Sequence, residues 1–258
     1  MTDGEVRYAR EGVVATVLFD RPAAHNAMTW RMYEQLGEAC TRIRDATGLR
    51  VAVFRGAGGR AFVAGTDIGQ FRSFRGGADG IDYEERMEAC IAGLETLPVP
   101  TLAVIEGFAM GGGLAIAAAC DLRIATPGAR FGVPIARTLG NCLSMGNYAR
   151  LVAGFGLSRA KRMLLLAESI EAEEALAAGF LSEVVETPQL ERRIAELTRR
   201  LAQHAPITMR VSKEAIRRLV RAALPDGDDL VRACYDSADF RVGVDAFVQK
   251  REPQWTGT

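Results

Sequence analysis

Residues 101–121 read TLAVIEGFAMGGGLAIAAACD, and the order of elements in this stretch decides the fold. Leu102-Ala103-Val104-Ile105 is a short apolar run that predicts a buried strand. Glu106-Gly107 is a turn signal. Gly111-Gly112-Gly113 then leads into Leu114–Cys120, an uncharged run of small, strong helix formers that predicts a buried helix. The order is strand, glycine-rich turn, helix N-terminus. Free backbone N–H groups point out of such a terminus, and the helix dipole favours negative charge there. Glycines let a ligand approach the backbone closely. The arrangement suits a site that stabilises an anion or a developing oxyanion. A transmembrane span is excluded by Glu106 and the three adjacent glycines. Close packing of a helix on a sheet explains the stretch equally well, so on these residues alone both readings stand. The triplet is not a G-x-G-x-x-G fingerprint, which weakens a dinucleotide site.

Outward from this centre, strands and helices alternate. Val13–Phe19 predicts a strand ended by Asp20-Arg21-Pro22. A helix over about Thr29–Arg44 follows, with Thr29 as N-cap and Met32, Leu36, Ala39, Cys40 and Ile43 at helical spacing. Val51–Arg55 is a second strand and Gly56–Arg60 a turn. Residues 69–80, with Arg72, Arg75, Gly76, Gly77 and Gly80, read as a mobile loop before a helix from about Tyr83 to Leu97. Pro98 and Pro100 stop that helix. Beyond the centre, Leu122–Ala125 is a strand and Ala129–Pro134 a short extended piece. Residues 135–150 show little periodicity. Ser158–Leu166 and Glu171–Ala178 predict helices, and Phe180–Val185 returns to a strand. Helices then dominate, at roughly 189–203, 207–220, 228–241 and 242–251. The pattern predicts an α/β core, residues 1–190, with a helical C-terminal region, residues 191–258.

The chain has 258 residues, enough for one large domain or one domain with an appendage. With 32 basic and 32 acidic residues its formal net charge is zero, which argues against a general nucleic-acid or membrane binder. Any anion-binding patch must be local. Five cysteines are widely spread without C-x-x-C spacing, so reduced thiols in a cytoplasmic setting are expected. The N-terminal MTDGEVRYAREG is charged and has no apolar core, so no secretory signal is expected. His25 and His204 are too few and too separated to suggest a metal site.

Four pieces of the chain, in order, resemble the crotonase (enoyl-CoA hydratase/isomerase) superfamily. They are Arg21-Pro22 to Asn26-Ala27-Met28; Ala61-Phe62-Val63-Ala64-Gly65-Thr66-Asp67-Ile68; Glu106 to Gly113, running on to Cys120-Asp121; and the tail with Asp239-Phe240, Gly243-Val244, Ala246-Phe247, Lys250-Arg251 and Pro253. The resemblance implies a spiral of strand-strand-helix turns with a C-terminal helical trimerisation region. It implies an acyl-CoA thioester substrate, no separate cofactor because coenzyme A is part of that substrate, and a homotrimer or dimer of trimers. By position, the backbone N–H groups of Thr66 and Gly112 would form an oxyanion hole for the thioester enolate, leaving the Thr66 side chain incidental. Coenzyme A would lie over Arg21–Ala24 and Ala64–Ile68, with Asp67 in the second of these loops and Gly111, in the glycine triplet, also against the substrate. Lys250 would meet phosphate, and Phe247 would pack near the acyl-CoA. Solvated charge for Lys250 and core packing for Phe247 remain alternatives. Asp67 and Asp121 read as structural, holding turns or capping helices.

The chain departs from that family where proton transfer is concerned. Hydratases of the family carry one glutamate in Gly-Gly-Gly-x-Glu and another in Phe-Gly-x-Pro-Glu. Here those positions are Ala115 and Ile135, which cannot do general acid–base work. Arg137, Thr138 and Asn141 are unexpected polar groups where the acyl chain should lie; they could position a substrate carboxylate or a water, or cap a helix. Cys142 reads as a structural thiol rather than a nucleophile. Asp79, Glu84, Glu85, Asp236 and Asp239 are other carboxylates in reach, each with surface solvation as its default. The expectation is an enolate-stabilising enzyme classed as enoyl-CoA hydratase/isomerase, a lyase or isomerase. The alternatives are a decarboxylase of a malonyl-CoA-type thioester, with Arg137 orienting the carboxylate, and a CoA-binding protein without catalysis.

Overall fold

The computed structural model describes residues 3–222 and 224–257. The chain begins with a hairpin, β1 (Glu5–Glu11) and β2 (Val14–Asp20), followed by α1 (Trp30–Asp45). Thr29 caps α1 as its sequence predicts, its hydroxyl accepting from the Met32 N–H at 3.3 Å. Three turns of a spiral come next: β3 (Val51–Gly56), β4 (Ala61–Val63) and α2 (Gly77–Glu95); β5 (Thr101–Ile105), β6 (Phe108–Met110) and α3 (Gly112–Ala119); β7 (Leu122–Ala125), β8 (Arg130–Gly132) and the single helical turn α4 (Ile135–Thr138). Each turn gives one strand to each of two sheets. The larger has the order β1-β2-β3-β5-β7-β10, where β10 is Glu183–Val184, parallel except for the β1–β2 hairpin. The smaller has the order β4-β6-β8-β9, where β9 is Ile170–Glu171. The rest comprises α5 (Met145–Leu165), β9 (Ile170–Glu171), α6 (Ala172–Ala177), β10 (Glu183–Val184), α7 (Leu190–Gln203), α8 (Pro206–Arg221), α9 (Asp228–Tyr235) and α10 (Ala238–Val248).

The central stretch folds as its sequence predicts at β5 and α3, with a further short strand, β6, between them that the sequence reading did not place. Every residue of β5 is buried, as a strand covered on both faces requires. Helix α3 lies so close to β4 that a Cβ on Gly113 would stand 2.0 Å from the Val63 carbonyl oxygen. Only glycine fits there. Asp121 ties the end of α3 to the start of β5, accepting from the Thr101 N–H at 2.8 Å and pairing with Lys213 at 2.7 Å. That is the structural role its position suggested. No helix among the described residues is long and apolar enough to cross a membrane.

Other stretches differ from the sequence reading, among them the strand expected over Phe180–Val185, which is only Glu183–Val184. β1 is an edge strand with one buried residue of seven, so its charged sequence hides its pairing. Residues 69–80 are not a featureless loop: Ile68–Ser73 forms a 3-10 helix and α2 starts at Gly77. The glycines there are packing sites; a Cβ on Gly80 would meet the Tyr235 ring at 2.3 Å. α5 starts at Met145, well before Ser158, and is broken at Gly156 (φ 75°, ψ 159°). Its first segment buries Asn147 and Arg150 together with Leu151 and Phe155, so polarity masked its helical period. Finally, the helix expected over 228–241 is two, α9 and α10, separated where Ser237 caps the second at 3.1 Å to the Phe240 N–H.

Candidate active site

The loop after β4 and the turn before α3 meet at the wall of a cavity of about 160 Å³, which α1, α2, α4 and α10 complete. The β4 loop is pinned from both sides. The Met28 N–H donates to the Gly65 carbonyl and the Asp67 N–H to the Met28 carbonyl, both at 2.8 Å. Asp67 accepts from the Gly69 N–H at 3.0 Å, capping the 3-10 helix, and pairs with Arg21 at 2.8 Å. Opposite, Gly111 takes φ 51° and donates its N–H to the Gly132 carbonyl at 2.9 Å, which turns the chain into α3. Between these anchors, the N–H groups of Thr66 and Gly112 have no hydrogen-bond acceptor among the described residues. The two positions adjoin: a Cβ on Gly112 would lie 3.2 Å from Thr66 Oγ1. Two preorganised donors on one cavity wall, one at a helix N-terminus, can hold a developing oxyanion.

The Thr66 side chain is not incidental, which corrects the sequence reading. Its hydroxyl is the middle of a chain, 2.8 Å from the Tyr33 hydroxyl and 3.2 Å from that of Tyr83. Burial pushes both phenols up, so they remain neutral hydrogen-bonding groups at ordinary pH.

Among the residues the sequence singled out, the cavity is lined by Ala64, Thr66, Ile68, Gly111, Gly112, Thr138, Asn141 and Phe247. Phe247 is 49% exposed, at the rim rather than in the core. Arg21, Ala24, Asp67, Arg137 and Lys250 do not line it. Arg21 is engaged in holding the loops together, through Asp67 and the Ala27 carbonyl at 3.1 Å. Ala24 sits in a 3-10 turn, Pro22–Ala24, beside the β4 loop, where the Ala64 N–H donates to the His25 carbonyl at 3.0 Å. Lys250 follows α10 and is exposed. Arg137 does not face the acyl chain as expected. Residues 135–138 form one helical turn, and its period puts Ile135, Thr138 and the following Leu139 inward and Ala136 and Arg137 outward. Cys142 is buried outside the lining, and its thiol donates to the Leu230 carbonyl at 3.8 Å.

Ala115 and Ile135 both line the cavity, so apolar side chains occupy the two places where carboxylates were missed. A different carboxylate is present. Glu84 on α2 is 5% exposed and is the only acidic residue among those lining the cavity. Surface solvation is therefore corrected for Glu84. The signal was in the sequence: Glu84 interrupts the apolar stripe Ile81, Met87, Ile91 and Leu94, all of which are buried. Asp79 instead accepts from the Arg75 N–H at 2.6 Å, Glu85 is exposed, Asp236 holds the Gly77 N–H, and Asp239 accepts from the Thr256 N–H at 2.6 Å.

Burial raises the Glu84 carboxyl from 4.5 to about 7, against hydrogen bonds from Tyr235 and Ser144 that lower it. Between those two values the folded chain keeps a proton that the unfolded chain has lost. Glu84 therefore weighs against folding progressively as pH rises through this window, and fully above it. Glu84→Gln is expected to melt above the wild type at about pH 8, with the gap closing toward about pH 5. Thermal melts at the two pH values check this; a gap independent of pH would contradict it.

A larger groove of about 570 Å³ opens between α5 and α8. It contains neither the unpartnered N–H groups nor Glu84, so size does not select it as the site.

A family model described as enoyl-CoA hydratase/isomerase matches residues 9–258. The chain is 32% identical over 247 residues to a short-chain-enoyl-CoA hydratase of Clostridium acetobutylicum, covering 94% of each. It is 33% identical over 254 residues to a carnitinyl-CoA dehydratase of Proteus mirabilis, covering 95% of this chain and 96% of that one. Among solved structures, it matches a methylmalonyl-CoA decarboxylase complexed with 2S-carboxypropyl-CoA, with a TM-score of 0.89, 28% identity and 98% of both chains covered.

Proposed function

The chain belongs to the enoyl-CoA hydratase/isomerase family, and from that premise we propose that it forms and stabilises the enolate of an acyl-CoA thioester by moving a proton. The pair of unpartnered N–H groups, Thr66 and Gly112, carries this reading. A thioester enolate concentrates negative charge on one oxygen, and donors fixed in place beforehand stabilise that charge without reorganising. The Tyr33 and Tyr83 hydroxyls keep the Thr66 side chain oriented beside them. Met87, Ile91, Ala115, Ile135 and Leu139 give an apolar wall for the acyl chain, with Phe247 at the mouth. Coenzyme A would arrive as part of the substrate and run outward over the 21–27 and 64–68 loops. The exposed Leu165, Leu166, Ile207, Val211 and Leu219 support assembly into a trimer or dimer of trimers.

The likeness in shape to methylmalonyl-CoA decarboxylase supports a second reading, loss of CO₂ from a malonyl-type thioester. Against it, Arg137 lies outside the cavity, and no Lys, Arg or His is among the residues lining it. The test is an assay with crotonyl-CoA and a longer 2-enoyl-CoA, following loss of the enoyl thioester absorbance, alongside malonyl- and methylmalonyl-CoA. Turnover of the enoyl substrates is expected. Turnover of the malonyl substrates alone would replace this reading with decarboxylation. Tight binding of all of them without any turnover would leave a non-catalytic CoA-binding protein.

A further inference from the structure

Two glutamates stand one turn apart on α2 and have opposite surroundings. Glu88 is bound by Arg150 at 2.8 Å and by Arg221 at 2.7 Å. Glu84 forms no ion pair among the described residues, although it is the more buried of the two. Among the described residues its oxygens accept only neutral donors, the Ser144 N–H at 2.8 Å and the Tyr235 hydroxyl at 3.1 Å. A buried carboxylate without a counter-ion costs stability, and an apolar residue would continue the buried stripe of α2 better. We infer that Glu84 is the proton-transfer group of this cavity, taking the place of the carboxylates absent at Ala115 and Ile135, with Tyr235 and Asn141 as its positioning residues. The inference rests on the enolate reading above.

Asn141 supplies the second half of the arrangement. Its Nδ2 donates to the Tyr235 hydroxyl at 3.3 Å, while its Oδ1 is buried without a partner among the described residues. Asn141 and Glu84 both line the cavity. The Tyr235 hydroxyl, accepting from Asn141 Nδ2, is thereby left to donate its hydrogen to the Glu84 carboxylate. Glu84 also lines an outer groove of about 470 Å³ with Glu85, Ser144 and Arg221, which gives its proton a way to exchange with solvent.

For a 2-enoyl thioester the step balances with one carboxylate. Glu84 takes a proton from water as the water oxygen bonds to C3. The C2=C3 electron pair moves into the carbonyl, giving the enolate held by Thr66 and Gly112. The enolate pair then returns, and C2 takes the proton from the Glu84 carboxylic acid. The net change is addition of H and OH, with no oxidant or reductant.

An ionisation near neutrality suits both halves of that cycle. The titratable groups around Glu84 are Tyr33 from α1, Tyr83 and Glu88 from α2, Cys142 from the loop after α4, Tyr148 from α5, and Cys234 and Tyr235 from α9. Burial pushes the phenols up, and hydrogen bonding and burial do the same for the Cys142 thiol, so none of these carries charge where Glu84 titrates. Glu88 is held ionised by its two arginines, and Cys234 is drawn down toward the same range by Cys142. Cys234→Ser therefore accompanies the pH measurements to assign the inflection.

The experiment measures kcat and KM for enoyl-CoA turnover from about pH 5 to about pH 9, and the Kd of butyryl-CoA, for wild type, Glu84→Gln, Glu84→Asp, Tyr235→Phe and Cys234→Ser. Glu84→Gln is expected to lose about 100-fold or more in kcat, to bind butyryl-CoA like the wild type, and to lose the inflection near neutrality. Glu84→Asp should recover part of the rate. Tyr235→Phe should move the inflection upward, because the Tyr235 hydrogen bond holds it down; Cys234→Ser should leave it in place. Unchanged kcat in Glu84→Gln would overturn the inference while leaving the enolate reading intact. So would an effect confined to KM and Kd, which would make Glu84 a recognition group for the acyl chain. A wild type that binds acyl-CoA thioesters and turns over none of them would overturn both.

Discussion

Gly112→Pro, made in a Tyr33→Phe background, is expected to lower enoyl-CoA turnover by about 10²–10³-fold relative to Tyr33→Phe alone. Gly112 is the first residue of α3, where proline is tolerated and its missing N–H costs the helix nothing. The background is needed because a Cβ at Gly112 would stand 2.6 Å from the Tyr33 hydroxyl, whereas the ring carbon that bears it is 3.9 Å away. The background removes the severe contact and leaves only Thr66 Oγ1, at 3.2 Å, to give by a few tenths of an ångström. Binding of butyryl-CoA and the melting temperature should change little between them. Equal turnover in the two would show that the Gly112 N–H holds no developing charge.

The largest effect on stability is expected from Arg150→Met. Arg150, with a side chain 4% exposed, is the hub that joins α2 to α5. Its guanidinium grips Glu88 with two bonds of 2.8 Å and reaches Glu95 at 2.9 Å. Arg221 on α8 reaches the same two carboxylates, at 2.7 Å and 3.1 Å. Removing the hub strands buried negative charge, for a loss of roughly 3–5 kcal/mol and a fall in melting temperature on the order of 10 °C. Although burial alone would raise Glu88, the arginines hold it below its ordinary value of 4.5. Its share of the stability is therefore present above that value and is lost as pH falls through the lowered one. The Arg150→Met deficit should shrink in acid, and adding Glu88→Gln and Glu95→Gln should restore part of it. A deficit of similar size at low and neutral pH would contradict this account of the network.

Much of the architecture was legible because it rests on local signals. An apolar strand, a tight turn and a helix of small residues at 101–121 specify one spiral turn, and the same strand-strand-helix order recurs on either side. The two donor positions, Thr66 and Gly112, were legible only by position in the family resemblance, since the glycine stretch alone fits close packing equally well; in the fold Gly111 and Gly113 are each fixed by backbone geometry. What stayed hidden depends on contacts distant in sequence. Arg150 ends a stretch of little periodicity, and its role emerges only when Glu88 and Glu95, 62 and 55 residues away, close around it. Glu84 reads as solvated until Tyr235, 151 residues on, covers it. Arg137 read as a cavity group because a four-residue helical turn leaves too little pattern to assign faces. The Thr66 hydroxyl gained its role from Tyr33 and Tyr83, which no local motif joins to it.

The central claim is that the cavity stabilises a thioester enolate, and exchange of the α-protons of butyryl-CoA in D₂O tests it most directly, because exchange requires the enolate whatever the overall reaction is. Followed by mass spectrometry, wild type should incorporate deuterium at C2. Tyr33→Phe should retain exchange, and Tyr33→Phe/Gly112→Pro should lose most of it. Tight binding of butyryl-CoA by the wild type with no exchange beyond the uncatalysed rate would contradict the claim.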